Sequence, residues 1–389
     1  MTLKEAAQRA EVSSGTLRRW VRTGMIPQYS GKWTPAAVGH ARVVAKMRER
    51  GNSLAEIRKA TDEGRLAFGF LEELFPSADS PYSVRQAATE SGLDEGLVRR
   101  IVTGLGMSAG DAESISADEV ELLRYLAAVL DAGFPLAALL QLVRVYGQAI
   151  AQVADAEVRL FHLYVHEPLM RSGATGVEMA EQMLALSREV LPLASPVMDQ
   201  IHQRYLQHFV EQDVVGHMES DLGASEDLGR MRVAIAFADL AGYTRLTEEE
   251  GELTALDAVE RFVDGVQVTL PDEARVIKTI GDEVMIAGPD AGALIDWAVG
   301  FQRLQVERPL PRIGIHYGVA LYREGDYYGR DVNIASRVAA RSAAGEVLVT
   351  RPVVECAGSH LEFERIAEVK LKGFSEPTEV FIARQRAER

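Results

Sequence analysis

The sequence predicts a multidomain chain, with an all-α N-terminal half followed by an α+β domain. The first 218 residues show helical periodicity, with turn and capping residues between the segments. From about residue 230, short alternating apolar runs interleave with helical segments, which is typical of an α+β sheet domain. The 389 residues are 47% hydrophobic and 25% charged, which excludes a disordered or fibrous chain and allows two or three buried cores.

Charge is distributed unevenly along the chain. The formal net charge is −15, but residues 1–75 carry 13 Lys and Arg against 8 Asp and Glu, so residues 76–389 carry −20. A basic N-terminal segment followed by an acidic remainder indicates that the two parts bind different partners. The acidic average argues against non-specific nucleic-acid binding by the whole chain.

Cysteine content and hydropathy indicate in which cellular compartment the chain is expected. The single cysteine, Cys356, excludes an internal disulfide framework and a multi-cysteine zinc site. The N-terminus has no apolar signal segment, and charged residues, a glycine and a proline interrupt the most apolar stretch, residues 122–143. We read that stretch as two buried helices, and expect a soluble, cytoplasmic protein with no membrane partner.

Residues 1–75 form the first predicted domain. A short apolar helix face from Leu3 precedes a turn at residues 12–15 and a second helix, about Ser14–Arg22. Thr34 and Pro35 open a third helix, and a fourth follows the break near Gly51. The pattern predicts a bundle of short helices.

The second predicted domain, residues 82–218, begins by repeating this plan. Its matches to the first domain are residues 83–100 with 3–19, 115–120 with 33–38, and 132–136 with 50–54. An internal duplication of a helix-turn-helix unit is the simplest account. Helices then continue to about residue 218, with predicted breaks at Pro168, Gly173, Pro192 and Pro196, and a polar linker follows at residues 219–229.

The third predicted domain covers residues 230–389 and combines strands with helices. Strands are predicted at residues 233–237, 275–280, 283–287 and 312–319, and helices at residues 255–270 and 291–304. Gly281 and Asp282 join two of the strands in a hairpin.

Acidic residues and a helix start follow two of these strands. Asp239 lies at a strand end and Asp282 at the hairpin tip, so the two carboxylates could bind a pair of magnesium ions. Gly242 and a helix starting near Tyr243 or Thr244 offer backbone N–H groups to a phosphate. The alternative is that Asp239 caps a helix and Asp282 serves the turn.

A second set of polar residues lies further along the chain. Asp326 precedes a helix on which Asn333 and Arg337 are four residues apart and share one face. An amide donor one turn from a guanidinium suits a phosphoryl group and its sugar, while the alternative is a solvated helix face.

In this order and spacing, the whole set resembles the class III nucleotidyl cyclases over roughly residues 230–385. The resemblance implies a ferredoxin-like α+β fold, the substrate ATP, and two Mg²⁺ or Mn²⁺ ions per active site. The implied site residues are Asp239 and Asp282 as metal ligands, Lys278 and Asp326 as the adenine-selecting pair, Asn333 and Arg337 as the transition-state pair, and Lys372 near the phosphates. Lys278 can donate to adenine N1 and Asp326 can accept from the N6 amino group, which favours ATP over GTP.

The resemblance also implies the reaction and the assembly. The ribose 3′-OH would attack the α-phosphorus and release pyrophosphate, giving cyclic AMP. Members of the family build each site between two catalytic domains, so a chain with one such domain is expected to form a homodimer. No side chain is an obvious general base, and His316 reads as a strand residue packed in the sheet.

Residues 1–75 resemble a MerR-type winged helix-turn-helix, so the N-terminal half would hold two such repeats plus a helical bundle. Arg18, Arg19 and Arg22 on the second helix would approach DNA phosphates or base edges. The pair Trp20-Val21 departs from the family pattern, and the wing is short. The alternative is that this fold serves as a dimer-forming regulatory scaffold.

The second repeat, with residues 145–218, resembles the helical regulatory domain of certain soluble actinobacterial adenylyl cyclases. It implies a sensing or autoinhibitory module with a small molecule or a proton as effector. Five of the eight histidines lie in this second domain, and they are either a pH sensor or ordinary interface and surface residues. They are His162, His166, His202, His208 and His217. Two functions follow from the sequence, a regulated adenylyl cyclase or a DNA-binding regulator that uses its cyclase-like domain as a nucleotide sensor.

Overall fold

A computed structural model describes residues 1–26, 29–63, 82–107, 115–172, 176–219, 229–369 and 377–386. The chain divides into two compact units, Met1–Glu211 and Gln212–Arg389. The described part of the first unit is helical, and the second unit is built on an eight-stranded sheet.

The first unit contains ten α-helices among the described residues. They are α1 (Leu3–Arg9), α2 (Ser14–Arg22), α3 (Pro35–Glu49), α4 (Leu54–Asp62), α5 (Val84–Ser91), α6 (Glu95–Gly104), α7 (Ala117–Asp131), α8 (Leu136–Phe161), α9 (Glu167–Arg171) and α10 (Gly176–Glu219), which runs past the unit boundary. A π-helical turn, His162–His166, connects α8 to α9. The predicted second helix matches α2, and residues 122–143 fall on two helices as expected. This stretch is only partly buried, because Tyr125 and Phe134 are exposed.

The two halves of this unit share their helix caps and buried positions. Ser13 caps α2 and Asp94 caps α6, each by accepting from a backbone N–H three residues on. Thr34 and Ser116 cap α3 and α7 in the same way. These caps lie at a constant offset of about 81–82 residues, which supports the internal duplication.

Each repeat has its own apolar core. The first buries Leu17, Trp20 and Ile57, and the second buries Val98, Ile101 and other aliphatic residues of α5–α8. The described residues of both repeats are helical, apart from a single β-bridge between Tyr82 and Ile115. The predicted wing lies partly outside the described residues, because Gln28 is not among them.

The predicted helix breaks at three prolines are wrong. Helix α10 is 44 residues long and passes through Pro192 and Pro196, and the path from α8 to α9 continues through Pro168. The π-helical turn comes directly before Pro168, and its wider loop gives room for a residue that cannot donate an N–H bond. Gly173, the other predicted break, lies outside the described residues.

One helical stretch passes a length and composition test for crossing a membrane. It is Leu136–Arg171, with a mean hydropathy of 1.3 in its most apolar window, of which 17% is buried. The stretch exposes Val158 and Tyr164 but also carries the exposed ion pair of Arg159 with Asp155.

The second unit has eight strands and five helices among its described residues, besides the end of α10. The strands are β1 (Arg230–Leu240), β2 (Arg275–Ile280), β3 (Glu283–Gly288), β4 (Pro311–Arg323), β5 (Asp326–Tyr328), β6 (Val347–Thr350), β7 (Leu361–Val369) and β8 (Thr378–Gln385). The helices are α11 (Tyr243–Glu250), α12 (Glu252–Thr269), α13 (Ala291–Leu304), α14 (Arg330–Ala339) and α15 (Arg351–Val354). The sequence predicted the hairpin of β2 and β3, the bounds of α13 and the start of α11 near Tyr243.

The sheet order is β2-β3-β1-β4-β6-β8-β7, with β5 paired to β4. Along β1, Ala234, Ala236 and Ala238 face α12 and α13 in the main core, because successive side chains of a strand point to opposite faces. On the other face, Ile235 and Phe237 pack with residues of α14. The helical cover is therefore thicker on one side of the sheet than on the other.

Candidate active site

The two predicted metal aspartates lie side by side. Asp239 is near the end of β1 and pairs across the sheet with Glu283, which follows Asp282 in the β2–β3 turn. Asp239 is 8% exposed, and its carboxylate shares a hydrogen bond with Asp282. Burial, that hydrogen bond and the negative charge of Asp239 raise the pKa of Asp282 to about 6.

Arg312 neutralises this acidic pair, and the sequence analysis missed it. Arg312 opens β4 and is the cross-strand partner of Asp239. Its Nε donates to Asp239 Oδ2 at 2.7 Å, and its Nη2 donates to the same oxygen. No sequence signal marks Arg312 out, because the register of β1 against β4 is what brings the two residues together.

The acidic pair fits a divalent cation. Carboxylate oxygens are the hard ligands that Mg²⁺ and Mn²⁺ prefer, and a cation would stabilise the charged form of Asp282, which burial and the negative charge of Asp239 disfavour. The guanidinium on Asp239 shows that the site already holds positive charge. No group of three or more His, Cys, Asp or Glu with metal-site geometry occurs among the described residues.

A helix N-terminus follows the first aspartate directly. Gly242 precedes α11 with φ +89°, a backbone conformation that favours glycine, and Tyr243 and Thr244 form the first turn. No side chain caps this helix, so the N–H groups of its first turn remain available to an anion. Lys372, the other predicted phosphate contact, lies outside the described residues.

The predicted adenine-selecting residues contact each other. Lys278 on β2 donates to Asp326 Oδ2, although the two are 48 residues apart. The backbone N–H of Tyr327 donates to Asp326 Oδ1 at 2.8 Å, and the Tyr327 hydroxyl accepts from Arg275 at 3.3 Å. These bonds orient the Asp326 carboxylate toward β2.

Helix α14 presents Asn333 and Arg337 on one exposed face, four residues apart as predicted. Two glycines of β4 let the helix lie directly on the strand. A Cβ on Gly314 would lie 2.0 Å from Ala339 N, and a Cβ on Gly318 would lie 2.1 Å from Asp331 Oδ2. The position of α14, and so of its polar face, is fixed by backbone contact.

The structure therefore assembles three pairs, Asp239 with Asp282, Lys278 with Asp326, and Asn333 with Arg337. Within the described residues no hydrogen bond or ion pair joins one pair to another. His316 lies in the sheet as expected, where it contacts Thr350 Oγ1 at 2.7 Å and burial lowers its pKa.

The fold and these pairs define the class, a nucleotidyl cyclase catalytic domain attached to a helical half. Residues 229–384 match the family described as the adenylate and guanylate cyclase catalytic domain, and residues 32–210 match the adenylate cyclase regulatory domain.

Three curated relatives support the match. The pH-sensitive adenylate cyclase MT1302 of Mycobacterium tuberculosis is 30% identical over 336 residues, covering 83% of this chain and 81% of the relative. An adenylate cyclase of Streptomyces coelicolor is 30% identical over 73% of this chain and 74% of its own length. One from Streptomyces griseus is 31% identical over 72% of this chain and 69% of its own. The chain belongs to this family and is an adenylate cyclase with a regulatory N-terminal domain.

Proposed function

We propose that the protein converts ATP to 3′,5′-cyclic AMP and pyrophosphate in the cytoplasm, with the six paired residues as its active site. The observation that carries the proposal is the Lys278–Asp326 pair, because a cationic donor beside a carboxylate acceptor complements the N1 and N6 edge of adenine. The exposed free thiol of Cys356 suits the reducing cytoplasm.

Each side chain has a role that follows from its chemistry. Asp239 and Asp282 would hold two Mg²⁺ or Mn²⁺ ions, which when bound lower the pKa of the attacking hydroxyl and neutralise the triphosphate. The guanidinium of Arg337 stabilises charge on the phosphoryl oxygens, and Asn333 orients the ribose. The first turn of α11, with Gly242, Tyr243 and Thr244, and Lys372 bind phosphate oxygens.

Cyclic AMP formation by the full chain, with Mn²⁺ and with Mg²⁺, tests this function. We expect Asp239→Asn to reduce turnover by at least about a thousandfold, since a buried metal ligand loses its charge. Asp257→Asn is the matched control, because Asp257 is an exposed carboxylate on α12 outside the site. Equal turnover by both variants would contradict the metal assignment.

The proposal includes a homodimer with shared sites. Two observations support it: the three pairs do not contact one another within the chain, and the β4–β5 hairpin exposes large apolar residues beside Asp326. These residues are Val319, Leu321, Tyr322 and Tyr328. A hairpin with exposed apolar side chains suits a second copy of this chain.

Mixing two inactive variants tests the shared site. Asp239→Asn and Lys278→Ala chains are each expected to be inactive, whereas a mixture that exchanges subunits regains activity through one intact site per heterodimer. A mixture that stays as inactive as its parents, with subunit exchange verified by labelled chains, would rule out the shared-site arrangement.

A MerR-like DNA-binding role for residues 1–75 is a second candidate function. Arg18, Arg19 and Arg22 are all exposed on α2, and the helix is packed by Leu17 and Trp20 on its opposite face. Salt-dependent binding of duplex DNA that Arg18→Gln/Arg22→Gln abolishes would support it. Nucleotide binding without turnover would favour a nucleotide-sensing DNA-binding regulator over the enzyme.

The proposal that a proton is the effector of the second domain depends on the pair His162 and His166. Their Nδ1 atoms are 3.0 Å apart and His166 is buried, so one ring must donate and the other accept. Two imidazolium rings cannot share this bond, because neither would have a nitrogen that accepts. The relative named as pH-sensitive adds support. A His162→Asn variant should alter the pH–rate profile, whereas His202→Asn, at an exposed position of α10, should not.

A further inference from the structure

A basic cavity lies in the second domain, away from the paired residues of the cyclase domain. It has a volume of about 600 Å³ and is bounded by α6 on one side and α8 on the other. This volume falls in the range of pockets that bind small metabolites. Most of the exposed wall is apolar, with Leu140 as one of its residues.

Three arginines line this cavity, Arg99 and Arg100 from α6 and Arg144 from α8. Among the described residues, none that lines it carries a carboxylate, although residues 76–389 have a net charge of −20. Thr103 and Gln148 add a hydroxyl and an amide donor to the same wall. Guanidinium groups bind phosphate oxygens through parallel N–H bonds, so this set of donors suits a phosphate-bearing anion.

A close crossing of the two helices holds the arginines in place. A Cβ on Gly147 of α8 would lie 2.7 Å from the carbonyl oxygen of Gly104 and 2.8 Å from Leu105 Cα, so the backbones touch there. Val143 and Ile101 are buried beside the crossing. A rigid crossing means that a ligand would not have to order the helices on which its donors stand.

The internal repeat shows how the cavity differs from a DNA-reading surface. Arg99 and Arg100 occupy the positions of Arg18 and Arg19, at an offset of 81 residues. The arginines of both repeats are exposed, and those of the first repeat belong to the face proposed for DNA. In the second, α8 runs past α6 and bounds a cavity that is too small to admit a duplex.

The third arginine is particular to the second repeat. Arg144 corresponds to Asp62 at the offset of 82 residues that relates α3 and α4 to α7 and α8. The same repeat position thus carries an acid in the first domain and a base in the second. The positive charge of the cavity is therefore a feature of this repeat and not of the helix-turn-helix plan.

We propose that the cavity between α6 and α8 binds a small phosphate-bearing anion and is an effector site of the regulatory half. The proposal does not depend on the catalytic assignments, because the site is built from residues of one repeat. Its ligand class follows from three guanidinium donors, two neutral donors and a partly apolar wall within one cavity.

Binding to the full-length protein tests the proposal. Inorganic phosphate and glucose 6-phosphate are titrated calorimetrically at constant ionic strength with EDTA present, which keeps metal-dependent binding at the cyclase site out of the measurement. We expect saturable binding of at least one probe. Arg100→Gln/Arg144→Gln should weaken it at least about a hundredfold, because each lost charged hydrogen bond lowers affinity about tenfold or more.

The matched control is Arg159→Gln, an exposed arginine of α8 outside the cavity, which should change affinity less than about twofold. Hydrogen exchange of the wild-type chain gives an independent readout, with protection expected in α6 and the first half of α8. Unchanged affinity in the double variant, absence of saturable binding of both probes, or protection confined to other elements would each overturn the proposal. Loss of cyclase activity alone would not bear on it.

Discussion

His40 makes the first domain sensitive to mild acid. It lies on α3 in the core that contains Trp20 and Trp33, it is 1% exposed, and neither ring nitrogen has a hydrogen-bond partner among the described residues. Burial lowers the pKa of His40 from its usual 6.5 to about 4. The carbonyl of Met25 opposes this shift but does not meet the geometry of a hydrogen bond to either nitrogen.

The sign and size of the effect follow from proton linkage. Above pH 6.5 the ring is neutral in both states and has no effect. As the pH falls from 6.5 toward 4, only the unfolded chain takes up the proton, so the folded domain loses about 1.4 kcal/mol per pH unit. Between pH 7.5 and 5.0 we expect the free energy of unfolding to fall by about 2 kcal/mol because of His40 alone.

Tryptophan fluorescence can report this domain separately. The chain has three tryptophans, and Trp297 is the one in the cyclase core, so a Trp297→Phe background leaves Trp20 and Trp33 as reporters. Urea unfolding at the two pH values should show a midpoint lower by about 1–2 M at pH 5.0, given typical urea slopes for small domains.

His40→Leu in the same background is the control, because it removes the titrating ring and keeps the position apolar. The carboxyls of Glu5 and Glu56 have pKa values lowered by their capping hydrogen bonds, so their contribution is lost only below this pH window. If His40→Leu lost as much stability as the parent between pH 7.5 and 5.0, the buried ring would not be the cause.

Three further predictions concern the cyclase domain. Arg312→Gln leaves the Asp239 carboxylate without its counter-ion, so in EDTA we expect the free energy of unfolding to fall by about 1–2 kcal/mol and the thermal midpoint by about 3–6 °C. Adding Mn²⁺ should raise the midpoint of the variant more than that of the wild type. Equal midpoints in EDTA would refute this. Because the pKa of Asp282 is raised to about 6, a proton competes with the metal for this carboxylate as the pH falls. Mn²⁺ affinity measured by calorimetry should therefore drop about tenfold per pH unit below 6. An affinity that does not change with pH would contradict the assignment of Asp282 as a metal ligand. Gly314→Ala places a methyl group 2.0 Å from Ala339 N and should lower the free energy of unfolding by about 1–3 kcal/mol, measured by thermal unfolding. Gly300→Ala is the control, because a methyl group on this helical residue would have nothing within 4 Å and should be neutral or stabilising. Similar midpoints for the two variants would show that α14 shifts without cost.

The local structure of the cyclase domain follows closely from its sequence. The strands β2 and β3 and the helix α13 were predicted within a residue, because alternation of apolar residues and clear caps such as Asp290 act over short distances. The helix α2 and its cap Ser13 were predicted for the same reason. The helix breaks predicted at the prolines of α10 were wrong, since a long helix can tolerate a proline that would end a short one.

The residue types of the candidate site could also be read from the sequence, since Asp239, Lys278 and Asn333 stand in a recognisable order. What the sequence could not give was proximity. Arg312 meets Asp239 only because β1 and β4 pair in one particular register. The basic cavity exists because α8 crosses α6 at Gly147, and no short-range pattern encodes that crossing.

The sequence by itself thus determined the class of enzyme, the boundaries of elements such as α2, α13, β2 and β3, and the residues that carry charge. Only the tertiary structure decided which charges neutralise one another, that His40 is buried without a partner, and that three arginines share one cavity. The physical reason is range: periodicity and capping act within a few residues, whereas burial and ion pairing depend on strand register and helix crossings between segments far apart in the chain.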